Sequence, residues 1–336
     1  MKVAAFTGGL DVPSARFRVR QLVPRLAQEQ VIVDEFVSPV SAFPPRRHGL
    51  RPFWLAAGIV SRIPQVIAGR HYDATLLQRE FFSTLSTLER FTRRPRVLDV
   101  DDAIFLNRGG RFARQLAERS DLVICGNDFL AERFAAWTGR VAVLPTAVDT
   151  ERYVPVARKP NEAVVLGWIG TSGNYRYLLQ IESAIAEVLA RHPEARLKIV
   201  SDRPPLFSVL PAERVEFVRW TPDHEVSLIQ SFDIGLMPLA DGDWERGKCS
   251  FKMLQYMACG LPVVVSPVGM NRQVLALGTV GLGAAEKDDW IRGLDSLITQ
   301  PQTAKAIGAA GRQVILEHFS VNVIAPKLAA LLRSVV

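Results

Sequence analysis

Residues 233–271 read DIGLMPLADGDWERGKCSFKMLQYMACGLPVVVSPVGMN. The order is apolar strand, polar loop, helix, glycine stop, buried strand and glycine turn. DIGLMPL is continuously apolar, as a parallel strand covered on both faces must be. Ser250 is placed to cap a helix starting at Phe251, and Gly260 to end it. PVVVS then returns as a second buried strand. Helical spacing puts Phe251, Leu254, Met257 and Ala258 on one face, suited to packing on the sheet. Lys252, Gln255 and Cys259 fall on another, which could look into a cleft. Lys248 and Lys252 flank the positive end of the helix dipole, an unfavourable place for cations unless an anion joins them. A diphosphate would suit it. A solvated lysine and glutamine on an ordinary amphipathic helix fit the same spacing.

Outward from this stretch the alternation continues. The first half carries the apolar runs KVAAF, VIVDEF, ATLLQ, RVLDV, DLVIC and VAVLP. A helix is predicted over about 14–29, and an amphipathic pattern over 50–68 is interrupted at Pro64. The second half adds AVVLGWIG, a helix over about 174–191, then RLKIV and VEFVRW. ARKPNE, 157–162, reads as the linker, being polar and proline-bearing. Such βα alternation predicts an α/β protein of doubly wound parallel sheets. The last residues, HFSVNVIAPKLAALLRSVV, are helical in pattern.

A chain of 336 residues favours two domains. Hydrophobic content of 48% with 22% charged residues belongs to ordinary globular proteins. The uncharged run 253–271 is long enough to span a membrane, but Gly260, Pro262 and Pro267 break it. MKVAAFTGG reads as a first strand rather than a signal peptide. Cys125, Cys249 and Cys259 show no pairing or metal spacing, so a cytoplasmic location is expected. Residues 1–155 hold 22 Lys+Arg against 16 Asp+Glu, and the remainder 19 against 18. Arg90, Arg93, Arg94 and Arg96 cluster in the basic half. They could meet an anionic membrane surface or a lipid-diphosphate acceptor, or be solvated surface arginines. No aromatic interleaving or binding motif points to nucleic acid.

DIGLMPL, the helix and QYMACGLPVVVSPVG together resemble the donor-binding segment of family 4 retaining glycosyltransferases. The resemblance implies the GT-B fold, with two Rossmann-like domains facing each other across a cleft. Residues 1–157 would then bind the acceptor and 158–318 a nucleotide-diphosphate sugar, with 319–336 a helix crossing back to the first domain. The family usually carries two glutamates, at the spacing that here separates Gly247 from Gln255. Both acids are missing, and the nearest carboxylate is Glu245. Gln255 could still hydrogen-bond a ribose hydroxyl. The GKCSFK version resembles a divergent branch in which lysines take over phosphate work.

Glycine-rich turns follow the first strand of each half, TGGLDVPSARFR and GWIGTSGNYRYL. Neither is GxGxxG, so a dinucleotide cofactor is not indicated. Gly170, Thr171, Ser172 and Gly173 are candidates for the donor, with Ser250, Phe251 and Gln255; a plain strand-to-helix turn is the other reading. Gly8 and Gly9 would let an acceptor approach the backbone. Arg16 and Arg18 stand near a helix start, and since i and i+2 do not share a face, at most one is expected at the ligand. SARFRV also resembles a motif of some of these transferases. In DVDDAIF, residues 99–105, aspartates at a strand end could chelate a cation, as in GT-A enzymes. That reading needs the donor site in the first half, whereas the donor segment lies in the second. Asp101 or Asp102 would instead orient an acceptor hydroxyl or act as base, or merely cap a helix. Arg79 and Glu80 would pair with these aspartates or face the cleft. Asn127 reads as a cap.

Catalysis would rest on Lys248, Lys252 and the helix start neutralising a departing nucleoside diphosphate, without metal or other cofactor. The expected partners are a nucleotide-sugar donor and a saccharide or lipid-linked saccharide acceptor, at the inner face of a membrane approached through the first-half arginines. A nucleotide-sugar epimerase or hydrolase of the same fold, and a non-catalytic sugar-nucleotide binder, remain open.

Overall fold

The computed structural model describes residues 1–41, 44–45, 47–157 and 163–336. Residues 158–162, most of the expected linker, lie outside the described residues. The chain divides into two compact units: one comprises Met1–Ala147, Gly247–Cys249 and Val321–Val336, the other Val148–Arg246 and Ser250–Ser320. The division falls at 147/148, against 157/158 from the sequence.

The first unit holds β1 (Lys2–Thr7), β2 (Ile32–Val37), β3 (Ala74–Gln78), β4 (Arg96–Val100), β5 (Leu122–Cys125) and β6 (Val141–Val143), in the order β2-β1-β3-β4-β5-β6. The second holds β7 (Val165–Ile169), β8 (Arg196–Ser201), β9 (Val215–Arg219), β10 (Ile234–Met237), β11 (Val263–Val265) and β12 (Leu282–Gly283), in the order β12-β11-β10-β7-β8-β9. Every ladder is parallel. Both sheets are doubly wound. The strand order reverses between β1 and β3 in one and between β7 and β10 in the other, the places where such sheets bind ligands.

The first core joins Val3, Ala5, Leu76, Val97 and Ile124 to Ile324, Leu328 and Leu332 of the final helix, Val321–Arg333. The second is built on Leu166, Trp168, Ile199 and Leu236, closed by Trp290 and Leu294. In the helix Phe251–Ala258, Leu254, Met257 and Ala258 are buried, and so are Met253 and Tyr256. It lies close on the sheet because Gly235 has no side chain: a Cβ there would come within 2.4 Å of the Tyr256 ring. Gly260, at φ 71°, ends the helix; its amide donates to Met257 O and that of Leu261 to Tyr256 O, closing a Schellman motif.

Several expected elements differ. The helix over 14–29 is a wide π turn (Ala15–Val19), a 3-10 turn and only then an α-helix, Val23–Gln28. The helix over 174–191 breaks at Ile181 into Tyr175–Gln180 and Glu182–Arg191. Conversely, Arg51–Ala68 runs unbroken through Pro64. Ser250 does not cap with its side chain: its backbone is left-handed at φ 52° and no cap hydrogen bond forms. Asn127 does cap, accepting from Leu130 N at 2.9 Å.

Candidate functional site

In the first unit the sheet's switch point gathers a polar cluster at the carboxyl ends of β1, β3 and β4. Arg79, just beyond β3, lies at φ 61°, a conformation costing a non-glycine residue about 1 kcal/mol. Its amide donates to Asp99 O at 3.0 Å, which holds the kink. The guanidinium is thereby turned onto Asp101, with Nε 3.3 Å from Oδ1, and onto Asp102, with Nη1 2.8 Å from Oδ2. Ser14 Oγ donates to Asp101 Oδ2, and Gln78 Nε2 reaches Asp101 Oδ1 at 3.4 Å. Burial opposes the Arg79 charge, but Asp101 and Asp102 outweigh it and hold the guanidinium above its ordinary value. Burial pushes the Asp102 carboxyl up; Arg79 opposes this, Asp101 adds to it, and the nearby Lys248 ammonium lowers it. Lys248 is held at this cluster by its carbonyl, which accepts from Asn127 Nδ2 at 3.0 Å. Cys249 Sγ contacts Asp101 O at 3.2 Å.

Arg18 does not belong to this polar surface. It is 4% exposed, with Nε donating to Asp99 Oδ2 at 3.0 Å and Nη1 to Leu144 O at 2.7 Å. The π turn tucks it beneath the sheet end as a structural ion pair, so its expected acceptor role is corrected. Arg16 is half-buried, its guanidinium 4.6 Å from the Phe17 ring centre. Gly8 is buried and Gly9 half-buried after β1. Of the basic cluster near residue 90, Arg96 is 3% exposed and bonded to Thr92 and to the Arg119 carbonyl. Arg94 pairs with Asp121. These two are therefore structural, and the expected basic patch is reduced accordingly.

In the second unit the switch point lies at the end of β7. Gly170 is followed by a turn over Ser172–Asn174 and the helix Tyr175–Gln180. A Cβ on Gly170 would stand 2.7 Å from Lys252 Cε and 2.9 Å from the Trp168 ring. The missing side chain is what lets Lys252 lie over this turn, with Nζ 5.9 Å from the Trp168 ring centre. Gly173 has open space around it. Thr171 Oγ1 accepts from Asn174 Nδ2 at 2.9 Å. Ser172 is occupied: its amide donates to Asp202 Oδ1 at 2.6 Å and its hydroxyl to Oδ2 at 2.8 Å. A phosphate could take these donors only by displacing that carboxylate.

Gln255 does not face outward. It is 4% exposed, and its Nε2 donates to Tyr153 Oη at 2.8 Å and Glu225 Oε1 at 3.3 Å. Trp220 Nε1 holds the other Glu225 oxygen at 2.9 Å. The amide nitrogen thus serves an internal network, which corrects the reading of an open ribose contact. Glu245 is likewise committed, accepting from Arg176 Nη2 at 3.0 Å and from the Tyr177 hydroxyl. Burial and this bond push the Tyr177 phenol up to about 12. Phe251 is half-buried and Ser250 is 2% exposed. Asp202 lies in none of the motifs named above, whereas Trp168, Ser14 and Gln78 lie inside GWIGTSGNYRYL, SARFRV and ATLLQ and were within reach of sequence reading.

Gly247 leaves no room for the acid that resemblance would place there. A Cβ would lie 2.7 Å from Ala103 Cβ and 3.0 Å from Ala103 N. Gly247→Ala is expected to cost about 2 kcal/mol in denaturant melts, and Gly247→Glu more. Wild-type stability in the alanine variant would show that the segment yields.

Among the described residues no group of three or more His, Cys, Asp or Glu could hold a metal ion, and no helix is long and apolar enough to cross a membrane. The three cysteines are buried and free. Burial pushes Cys125 and Cys259 up to about 12, which leaves them poor nucleophiles.

Residues 163–300 match the family model described as Glycosyl transferases group 1. A D-inositol 3-phosphate glycosyltransferase from Stackebrandtia nassauensis is 27% identical over 58% of this chain and 50% of its own. A GDP-mannose-dependent alpha-(1-6)-phosphatidylinositol monomannoside mannosyltransferase from Mycolicibacterium smegmatis is 25% identical over 65% of this chain and 64% of its own. The chain thus spans between half and two thirds of these curated relatives. The solved sucrose-phosphate synthase from Thermosynechococcus elongatus superimposes with a TM-score of 0.73 at 17% identity, covering 99% of this chain and 98% of that one.

Proposed function

We propose that the chain is a family 4 glycosyltransferase, as its family-model match and curated relatives support, on a GT-B fold, and that it moves a glycosyl group from a nucleotide-diphosphate sugar to an acceptor hydroxyl, with retention at the anomeric carbon. The second unit binds the donor and the first addresses the acceptor, a saccharide or lipid-linked saccharide of the cell envelope. The bond from the anomeric carbon to the β-phosphate oxygen breaks, a bond to the acceptor oxygen forms, and the hydroxyl proton leaves with a base. Asp102 suits that last step, because its raised pKa makes it a stronger base than an exposed aspartate. Lys248 and Lys252 neutralise the departing diphosphate without a metal.

The observation that carries this reading is Lys252, laid over the Gly170 turn at the point where the strand order reverses. The Lys252 ammonium beside the turn is the charge an anion would meet there, and a phosphate that also took the Ser172 donors would displace Asp202 from them. The Mycolicibacterium smegmatis relative is by name GDP-mannose-dependent, which supports a nucleotide sugar. The protein works in the cytoplasm, at the membrane's inner face.

A thermal-shift screen of nucleotide sugars in EDTA tests the donor. One UDP- or GDP-sugar is expected to raise Tm by about 5 °C at saturating concentration, and magnesium in place of EDTA to change nothing. Loss of the shift in EDTA would overturn metal independence. No shift with any nucleotide sugar would overturn the donor assignment. An epimerised or hydrolysed sugar formed without acceptor would identify the epimerase or hydrolase reading instead. Donor binding with no product from any acceptor would leave a binding protein.

A further inference from the structure

The helix Arg51–Ala68 of the first unit is mounted with its apolar side outward. Arg62, on the inward side, is 0% exposed; its guanidinium donates to Phe36 O at 2.8 Å and to Thr7 O, at the ends of β2 and β1. It also lies 4.6 Å from the Phe81 ring centre. Gly58, also inward, leaves space for Phe82, whose ring a Cβ would meet at 2.3 Å. The helix is therefore fixed by a buried cation and a glycine contact. Its outer side carries Phe53, Val60, Ile63 and Ile67, exposed by 74%, 65%, 43% and 55%. At 100° per residue these four fall within an arc of roughly 80° along about 20 Å of helix. The remaining outward positions between them are alanine or proline. Helices docked on a globular core normally show the reverse arrangement, and apolar faces of this extent mark interaction sites.

Charge identifies the occupant. From Phe36 to Tyr72 the chain contains no aspartate or glutamate. Arg47, His48 and Arg51 are exposed at one end of the stripe, and Arg70 and His71 at the other. We infer that this helix lies in the headgroup layer of an anionic membrane, with Phe53, Val60, Ile63 and Ile67 among the acyl chains and the end arginines on lipid phosphates. A symmetric pairing of two copies would instead bring these cations together with no carboxylate in the segment to answer them. The inference is independent of the transferase reading, because membrane binding needs neither donor nor acceptor. It replaces the arginines near residue 90 as the membrane contact.

The test is co-sedimentation of the full chain with vesicles of phosphatidylcholine, with and without phosphatidylglycerol. Binding to the anionic vesicles is expected, with partitioning about tenfold weaker on neutral ones. Val60→Asp/Ile67→Asp should lower partitioning about a hundredfold with an unchanged melting temperature, since both side chains already face water. Arg51→Gln/Arg70→Gln should lose about tenfold on anionic vesicles only. Absence of binding by the parent chain, or equal binding by both variants, would overturn the inference. So would a lipid-free dimer, seen by ultracentrifugation, that Val60→Asp/Ile67→Asp dissolves.

Discussion

Lys252→Ala is expected to lower kcat by about 10²- to 10³-fold, with a much smaller change in donor KM. The ammonium is drawn to a diphosphate more strongly as the sugar departs and charge gathers on the leaving oxygen. An interaction that strengthens along the reaction is lost from kcat rather than from ground-state binding. The position is prepared: Gly170 has no Cβ to push Lys252 away, and the Trp168 ring lies nearby. Lys252→Arg keeps the charge but sends a broader group past the same glycine, so partial activity is expected. Steady-state kinetics with the donor found by thermal shift decides the matter. Turnover by Lys252→Ala within a few fold of wild type would remove this residue from the chemistry.

The strands were readable because a parallel strand covered on both faces must be a continuous apolar run. KVAAF and VVLGWI are such runs and are β1 and β7, while ATLLQ and RVLDV, apolar at their centres, are β3 and β4. β12, two residues long at a sheet edge, carries too few residues for any pattern. The π turn after Ser14 is invisible for a different reason: it differs from an α-helix in hydrogen-bond register, which composition does not encode. Its effect on function is direct, since it decides that Arg18 is buried against Asp99, 81 residues away, and is not presented to a ligand. Gln255 repeats the lesson. Helix spacing gives its direction from the axis but not its neighbours, Tyr153 and Glu225, which come from distant segments. The pairing of Arg79 with Asp101 and Asp102 was within reach, because both motifs end apolar strands and strand ends converge at a switch point.

Arg79→Leu is expected to destabilise the protein by about 3 kcal/mol near neutral pH, because two partly buried carboxylates lose their shared counter-charge. The loss carries a pH signature. Asp102 is already raised by burial and by Asp101, and Arg79 is the largest influence opposing that shift. Without the guanidinium the folded Asp102 carboxyl holds its proton more tightly than the unfolded one does. Stability of the variant therefore falls as pH rises through the folded-state pKa and recovers as pH drops. Urea melts of both proteins should show the gap closing to within about 1 kcal/mol by about pH 4. Arg79→Lys, which keeps a positive charge but not the fork, should lie between them. A deficit of equal size at every pH would mean that Arg79 acts through packing alone. Asp102 would then not be held ionised by it, and would lose its standing as the base.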